Sequence, residues 1–238
     1  MRPGWLTPAK DDNRSPTSRV LSPNGAGCSV GDVSNRPASK QDAILFAVLE
    51  LVGSDGYDAV QLRVVAERAQ VSLRTIYKYF PTRDELIVAA LERWMEKNAY
   101  SGLAGAPPPG SLYEQLMWQL RHIFEPWERN PRMLEAFYRA RMAPGGERLE
   151  AQGFAAAGPV AEELFDQLDP GYVADLGLLL PLVVRAAIAK FVDGDLAITD
   201  ILRVLERAVF RLTNDNAAAT RPRRQPGTRR GGNASALS

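Results

Sequence analysis

Cysteine and histidine are almost missing from the sequence. Cys28 is the one cysteine among 238 residues, so a disulfide within a single chain is excluded. His122 is the one histidine, so the chain lacks the Cys/His sets that hold structural zinc. We therefore expect a protein of a reducing compartment, with no bound metal and no other cofactor.

An excess of charge of one sign and a long apolar run are also missing. The 29 Lys and Arg residues nearly balance the 28 Asp and Glu residues, so any nucleic-acid binding must come from a local patch. The longest apolar run, residues 176–184, is about half of the roughly 20 residues that a membrane helix needs. The N-terminus lacks the apolar segment of a signal peptide. We expect a cytoplasmic protein with no membrane contact.

Sequence patterns for catalysis are missing as well. The chain has no G-x-S-x-G motif, no P-loop and no carboxylate pair marked out by its spacing. Its single histidine and single cysteine lie on opposite sides of a predicted domain boundary. The sequence therefore predicts that the protein is not an enzyme.

The composition changes sharply near both ends of the chain. Residues 1–37 and 214–238 are rich in Ser, Pro, Gly, Asn and Arg, which predicts disordered tails. The basic run "RPRRQPGTRR" in the second tail either adds non-specific phosphate contacts or is simply solvated. Between the tails, apolar residues recur at spacings of three and four, which predicts an all-α fold.

Five capping signals predict where helices begin. Each places a capping side chain before an acidic residue or before a proline at the first helical position: Ser39 with Asp42, Thr82 with Glu85, Ser111 with Glu114, Asn130 before Pro131, and Asp169 before Pro170. With the apolar spacing, these signals predict helices at about 39–53, 61–68, 73–80, 83–99, 112–128, 131–142, 150–168, 170–192 and 199–213. The first of these is expected to end at Gly53.

The segment "QVSLRTIYKYFPTRDEL", residues 70–86, predicts a short two-sided helix. An advance of about 100° per residue places Ile76 and Phe80 on one side, and Arg74 and Lys78 on the other. A helix with this arrangement could lie in the DNA major groove, where arginine can bond guanine; the alternative is a solvated charged face. Arg83 follows at a helix N-terminus, where the dipole disfavours a cation, and a phosphate would explain its presence.

Residues 40–91 resemble the DNA-binding domain of the TetR family of bacterial transcriptional regulators. The stretch "ILFAVLELVGSDGYDAVQLRVVAERAQVSLRTIYKYFPTRDELIVAAL" carries the family's G-[YF] turn, its alanine-containing second helix and its T-[LI]-Y-x-[HY]-F recognition helix. The chain departs from the family where Val60 and Gln61 replace threonines, and where Gln70 and Arg74 replace glycines. By resemblance, the DNA-contacting residues are Gln61, Arg63, Ser72, Leu73, Arg74, Thr75, Tyr77, Lys78, Tyr79 and Arg83.

The same resemblance implies a dimer with a helical effector-binding domain. We assign residues 38–83 to a helix-turn-helix domain and residues 84–213 to effector binding and dimerisation, with the Gly/Pro-rich segment 101–110 as a seam. The two last helices carry more apolar surface than one core-facing stripe needs, as a dimer interface would require. The segment 176–191 is expected to be buried in a core, an interface or both.

Aromatic and methionine side chains between residues 94 and 142 form either plain core or the lining of an apolar ligand pocket. The segment "NPRMLEAFYRARM" resembles a helix of KstR-like regulators of sterol and lipid breakdown. This resemblance implies a large apolar effector such as a fatty-acyl or steroid thioester. His122 is a further polar candidate, and the candidate ligand-binding residues are Met117, Trp118, Phe124, Trp127, Phe137, Tyr138, Arg141 and Arg185.

These observations favour a homodimeric, effector-released repressor that binds a double-stranded DNA operator. Two alternatives stay open. One is a helix-turn-helix DNA-binding protein without a small-molecule effector, and the other is a helical module for protein interaction.

Overall fold

The computed structural model describes residues 39–105, 107–166 and 168–214. Within these ranges it contains helices and no strand, which confirms the all-α fold class. The predicted disordered tails lie outside the described residues, except for Asn214. A 3₁₀ turn, Tyr57–Ala59, precedes the second helix. The helices are α1 (Lys40–Asp55), α2 (Leu62–Arg68), α3 (Leu73–Tyr79), α4 (Arg83–Asn98), α5 (Leu112–Arg129), α6 (Pro131–Ala140), α7 (Glu147–Phe165), α8 (Pro170–Val192) and α9 (Ile198–Asn214).

The predicted capping signals mark real helix starts. The Ser39 hydroxyl accepts the amide of Asp42, and the Thr82 hydroxyl accepts the amide of Glu85 at 3.1 Å. Ser111 and Glu114 cap each other's amides reciprocally. The helices α6 and α8 begin at prolines, as predicted. Four of these starts depend on side-chain hydrogen bonds within three residues, which is why the sequence reveals them, whereas Asn130 makes no side-chain cap hydrogen bond and α6 is marked by Pro131 alone.

Four predicted helix boundaries are wrong by two or more residues: the ends of α1, α6 and α7 and the start of α7. Glycine conformation explains the end of α1 and the start of α7. The helix α1 passes through Gly53 and ends at Asp55, because Gly56 adopts φ 87° and its amide bonds the carbonyls of Leu51 and Val52. The helix α7 begins at Glu147 rather than near residue 150, because a turn with Gly145 at φ 82° closes the preceding segment early.

The described chain divides into two compact units. The first contains residues 39–98 with 130–155, and the second contains the described residues of 99–129 with 156–214. In the first unit α1 packs against α2, α4 and α6, and α2 packs against α3. This unit is larger than the segment 38–83, because α4 and α6 share its core. The assignment of residues 38–83 to DNA binding and 84–213 to effector binding and dimerisation stays a prediction.

The second unit is built on α9, which packs against α5 and α8. Ile201, Leu205 and Val209 form the buried stripe of α9. Tyr172 on α8 donates its hydroxyl to the carbonyl of Leu212 at 3.0 Å. Exposed apolar side chains remain on both helices: Leu178, Leu179 and Leu182 on α8, and Phe210 on α9.

The helix α8 is the one described helix that is long and apolar enough to cross a membrane, with a mean hydropathy of 1.8. The sequence predicted no such span, because the uninterrupted apolar run is short. Length and composition alone are weak evidence for a span, because apolar helices in the core or interface of soluble proteins also have these properties.

Gln70 has the one positive φ of a non-glycine residue in the described chain, at 53°. It lies in the turn between α2 and α3, where its amide bonds the carbonyl of Glu67. The left-handed conformation costs an ordinary residue about 1 kcal/mol or more, and it costs glycine almost nothing. This backbone angle explains why glycine fits this position in proteins that resemble this chain.

We expect Gln70→Gly to raise the free energy of unfolding by about 0.5–1 kcal/mol, because relief of backbone strain exceeds the added entropy of the unfolded chain. Gln70→Val should lower it by about 1 kcal/mol, because a β-branched residue fits this backbone poorly. Urea unfolding followed by circular dichroism measures both changes. A glycine variant less stable than the parent would contradict this explanation.

Candidate nucleic-acid interface

The helix α3 is fixed at both ends by local contacts. At its start, the Ser72 hydroxyl accepts the amide of Thr75 at 3.1 Å and lies 2.9 Å from the Thr75 hydroxyl. At its end, Phe80 adopts an extended conformation directly before Pro81, which a helix could not continue through. The two contacts of Ser72 with Thr75 close and stabilise the first turn of α3.

The two sides of α3 differ as the sequence predicted. Ile76 is fully buried and Phe80 is 5% exposed, so both anchor the helix to the first unit. Arg74, Tyr77 and Lys78 are exposed on the rest of its surface, and Leu73 is half-buried. This geometry presents hydrogen-bond donors outward from a rigidly packed helix.

The cations of α3 remain available to a partner. Arg74 makes no hydrogen bond or ion pair with the part of the chain that the structure describes. The Lys78 ammonium lies 6.0 Å from the ring centroid of Tyr79, which is itself 40% exposed. An exposed arginine and lysine without an acidic partner are well placed for an anionic ligand. Their contact with DNA stays a prediction.

The preceding helix adds one comparable cation. Arg63 is exposed on α2 and is not paired with any acid in the described ranges, whereas Arg68 forms an ion pair with Asp55 at 3.5 Å. Gln61 occupies the N-cap of α2, is exposed and makes no side-chain cap hydrogen bond. Val60, just before it, is fully buried. Gln61 and Arg63 therefore remain candidates for DNA contact.

Arg83 has structural partners that the sequence did not reveal. Its Nε donates to the carbonyl of Val60 at 2.6 Å, and its Nη2 donates to the carbonyl of Tyr57 at 2.7 Å. Its guanidinium lies 4.7 Å from the ring centroid of Tyr57, and its side chain is 33% exposed. These carbonyls account for a cation at this helix start, so a phosphate is not required to explain it. A phosphate contact by Arg83 stays a prediction.

A second arginine reaches the same turn from α6. Arg139 donates two hydrogen bonds of 2.8 Å to the carboxylate of Asp58, and its guanidinium lies 4.5 Å from the Tyr57 ring centroid. These hydrogen bonds hold the pKa of the Asp58 carboxyl below its ordinary value. We call Tyr57, Asp58, Arg83 and Arg139 the turn clasp. The sequence did not reveal it, although the Gly-Tyr turn at residues 56–57 marked the segment as part of the family resemblance.

The candidate ligand residues are divided between the two units. Met117, Phe124 and Trp127 are buried in the second unit, and Trp118 contacts His122 with ring centroids 4.2 Å apart and the ring planes tilted by 40°. Arg185 is exposed on α8. The remaining three candidates belong to the first unit: Phe137, Tyr138 and Arg141.

Within the first unit, Arg141 and Tyr138 do lie together. The Arg141 guanidinium is 4.4 Å from the Tyr138 ring centroid and forms an ion pair with Glu150 at 3.2 Å. The Arg141 Nε is buried and has no hydrogen-bond partner among the described residues. One donor of a mostly buried arginine is therefore unused. Ligand binding by all eight candidates stays a prediction.

The fold and this surface define a helix-turn-helix protein with an outward-facing, cationic second helix. Residues 44–90 match the family described as "Bacterial regulatory proteins, tetR family", and residues 110–212 match "Tetracyclin repressor-like, C-terminal domain". The chain is 31% identical over 202 residues to the HTH-type transcriptional repressor KstR of Mycobacterium tuberculosis, a match that covers 78% of this chain and 86% of the relative. The chain belongs to the TetR family of transcriptional regulators.

Further comparisons agree with this family. The KstR repressors of Rhodococcus jostii and Mycolicibacterium smegmatis are each 38% identical to this chain, over matches that span 60% and 52% of their own lengths. Among solved structures, a TetR transcriptional regulator from Rhodococcus sp. RHA1 is similar with a TM-score of 0.56 and 21% identity, covering 74% of this chain and 98% of that one. The family matches and the KstR relatives confirm the resemblance drawn from the sequence and place the chain among regulators rather than enzymes. The solved structure shows the same fold.

Proposed function

We propose that this protein is a transcriptional repressor that recognises its operator through α3. The observation that carries the proposal is the outward presentation of Arg74, Tyr77 and Lys78 on a helix whose opposite side is anchored by Ile76 and Phe80. The related KstR proteins are repressors by name, which supports repression rather than activation. A soluble DNA-binding regulator of this kind acts in the cytoplasm, where the chromosome lies.

The proposed repressor is a homodimer joined through α8 and α9. Leu178, Leu179 and Leu182 on α8 are 60%, 42% and 50% exposed in the single chain, and Phe210 on α9 is 51% exposed. Large apolar side chains at this density are unfavourable in water, and a second copy of the same surface would cover them symmetrically. A dimer also places two copies of α3 against two half-sites of one operator.

The proposed effector is a large apolar molecule with an anionic group, such as a fatty-acyl or steroid thioester. Arg141 suits the anionic group better than Arg185, because its side chain is 18% exposed beside Tyr138 and keeps its buried Nε unused within the described residues. Arg185 is exposed. Binding of the effector would favour a conformation in which the two copies of α3 no longer fit successive major grooves.

Selection of duplexes from a random pool by the full-length protein tests this function. We expect enrichment of an inverted repeat whose half-site centres lie about one helical turn, or a multiple of it, apart. The logarithm of affinity should fall linearly with the logarithm of salt concentration, because bound phosphates release counterions. Recovery of no preferred sequence would contradict operator recognition.

The effector is tested separately on the selected duplex. Addition of a fatty-acyl or steroid thioester should release the protein, and the corresponding free thiol carrier should leave it bound. Native mass spectrometry of the protein alone should show a dimer, and after incubation a dimer with retained thioester. Specific duplex binding without release by either thioester would support the helix-turn-helix protein that lacks such an effector.

A further inference from the structure

The turn clasp joins both ends of the helix-turn-helix to α6. Val60 lies two residues before α2, and Arg83 begins α4 shortly after α3 ends. The hydrogen bond of 2.6 Å from Arg83 to the Val60 carbonyl therefore closes the segment that contains α2 and α3 into a loop of fixed span. Tyr57 lies at this closure, because its carbonyl accepts a second bond from Arg83.

The Tyr57 ring connects Arg83 to α6, because it also contacts Arg139 on that helix. Guanidinium groups lie 4.7 Å and 4.5 Å from its centroid, one from Arg83 and one from Arg139. Attraction between a cation and a ring face favours this arrangement, although two like charges near one ring also repel each other. The carboxylate of Asp58 offsets that repulsion, because it accepts both 2.8 Å bonds from Arg139.

The turn clasp includes a negative charge near the helix-turn-helix. Asp58 is an anion close to a helix-turn-helix that would bind a polyanion, and such a charge by itself opposes DNA binding. Asp58 nevertheless contributes to the geometry of the turn, because its two parallel hydrogen bonds with Arg139 fix both side chains in one orientation. The pair lies in the first unit together with α3, so no contact with the second unit is needed for its action.

We propose that Asp58 and Arg139 are positioning residues for operator recognition, which hold the turn before α2 against α6 and thereby set the orientation of α3. The inference rests on the proposed function, because it concerns the same DNA-binding surface. The proposed role requires neither residue to touch DNA. Loss of the Asp58–Arg139 pair would loosen the closure at Val60 and Arg83, and so weaken the fit of α3 to its half-site.

The test uses the full-length protein, the tightest duplex from the random pool and a scrambled duplex of the same composition. We expect Arg139→Gln and Asp58→Asn each to lower affinity for the selected duplex about threefold to tenfold, as removal of a largely exposed ion pair in each subunit implies. Affinity for the scrambled duplex should change less than about twofold to threefold. Circular dichroism must show that every variant is folded at the assay temperature.

The Asp58 variant gives the sharpest result, because a pure charge effect and a positioning role predict opposite changes in affinity for the selected duplex. Removal of an anion would tighten binding to every duplex if only charge mattered. Disruption of a positioning interaction should weaken binding to the selected duplex. In addition, the double variant should bind the selected duplex with about the affinity of the single variant that binds it less tightly, because both substitutions break the same interaction.

Arg132→Gln is the matched control. Arg132 lies on the same helix seven residues before Arg139 and carries the same charge, and among the described residues it donates only one long hydrogen bond of 3.4 Å, to the carbonyl of Gly53. We expect its affinity for the selected duplex to stay within about twofold of the parent. Additive losses of affinity in the double variant, tighter binding by Asp58→Asn, or unchanged affinity despite lower stability would each overturn the positioning role. A parent protein without any sequence preference would overturn the proposed function as well.

Discussion

Arg74→Ala is expected to abolish the preference for one base pair in each half-site of the operator. The exposed guanidinium of Arg74 makes no hydrogen bond or ion pair with the described chain, so it can donate two hydrogen bonds to the O6 and N7 atoms of guanine. Removal of these two hydrogen bonds costs about 1–3 kcal/mol of discrimination per half-site. Affinities for duplexes that carry each of the four base pairs at the recognised position measure this effect.

Lys78→Ala provides the contrast. A lysine that neutralises a phosphate should, when replaced, weaken binding to selected and scrambled duplexes alike, and the salt slope should fall by about 1 for each phosphate that is no longer neutralised. Arg203→Ala is the control for net charge, because Arg203 lies on α9 in the second unit and pairs with Asp200 at 3.1 Å. An equal decrease in affinity for all four base pairs in Arg74→Ala would show that Arg74 does not read a base.

The second large effect concerns folding. Arg83→Ala should lower the free energy of unfolding by about 2–3 kcal/mol, because it leaves the carbonyls of Val60 and Tyr57 without their charged donor. A larger decrease is not expected, because a third of the Arg83 side chain is in contact with water. Urea unfolding of the full-length protein, followed by helical circular dichroism, measures the difference.

Two further variants separate the possible causes. Arg93→Ala removes an arginine of the same helix whose ion pairs are long, at 3.8 Å and 4.0 Å, so the free energy of unfolding should change by less than about 0.5 kcal/mol. Arg83→Lys keeps the charge but cannot donate in two directions from one planar group, and should recover less than half of the lost stability. If Arg83→Ala proves as stable as the parent and only flattens the salt slope of DNA binding, Arg83 contacts phosphate and its bonds to the carbonyls are dispensable.

The turn at Gln70 shows how a resemblance and a structure complement each other. The resemblance indicated that glycine is common at this position, but it gave no physical reason for that preference. The structure supplies the reason, because the backbone has φ 53° there. Glutamine in place of glycine at this position therefore implies a lower free energy of unfolding, and not a change in the side chains that α3 presents to DNA.

The predicted ligand residues illustrate a limit of sequence patterns. Spacing could show that Trp118, Trp127 and Phe137 are aromatic residues on helices, but it could not assign them to separate units. The chain passes from one unit to the other near residues 98, 129 and 155, where no composition change marks two of the three crossings. The predicted seam at residues 101–110 coincides with the first crossing only.

The sequence alone determined the helical class, most helix starts and the two sides of α3, because these features depend on contacts within about one helical turn. Ser39 with Asp42 and Ser72 with Thr75 are examples, each separated by three residues. The roles of Arg83 and Arg139 emerged only in three dimensions. Their partners lie 23, 26 and 81 residues away along the chain, and no local spacing encodes a hydrogen bond that forms only when distant helices pack together.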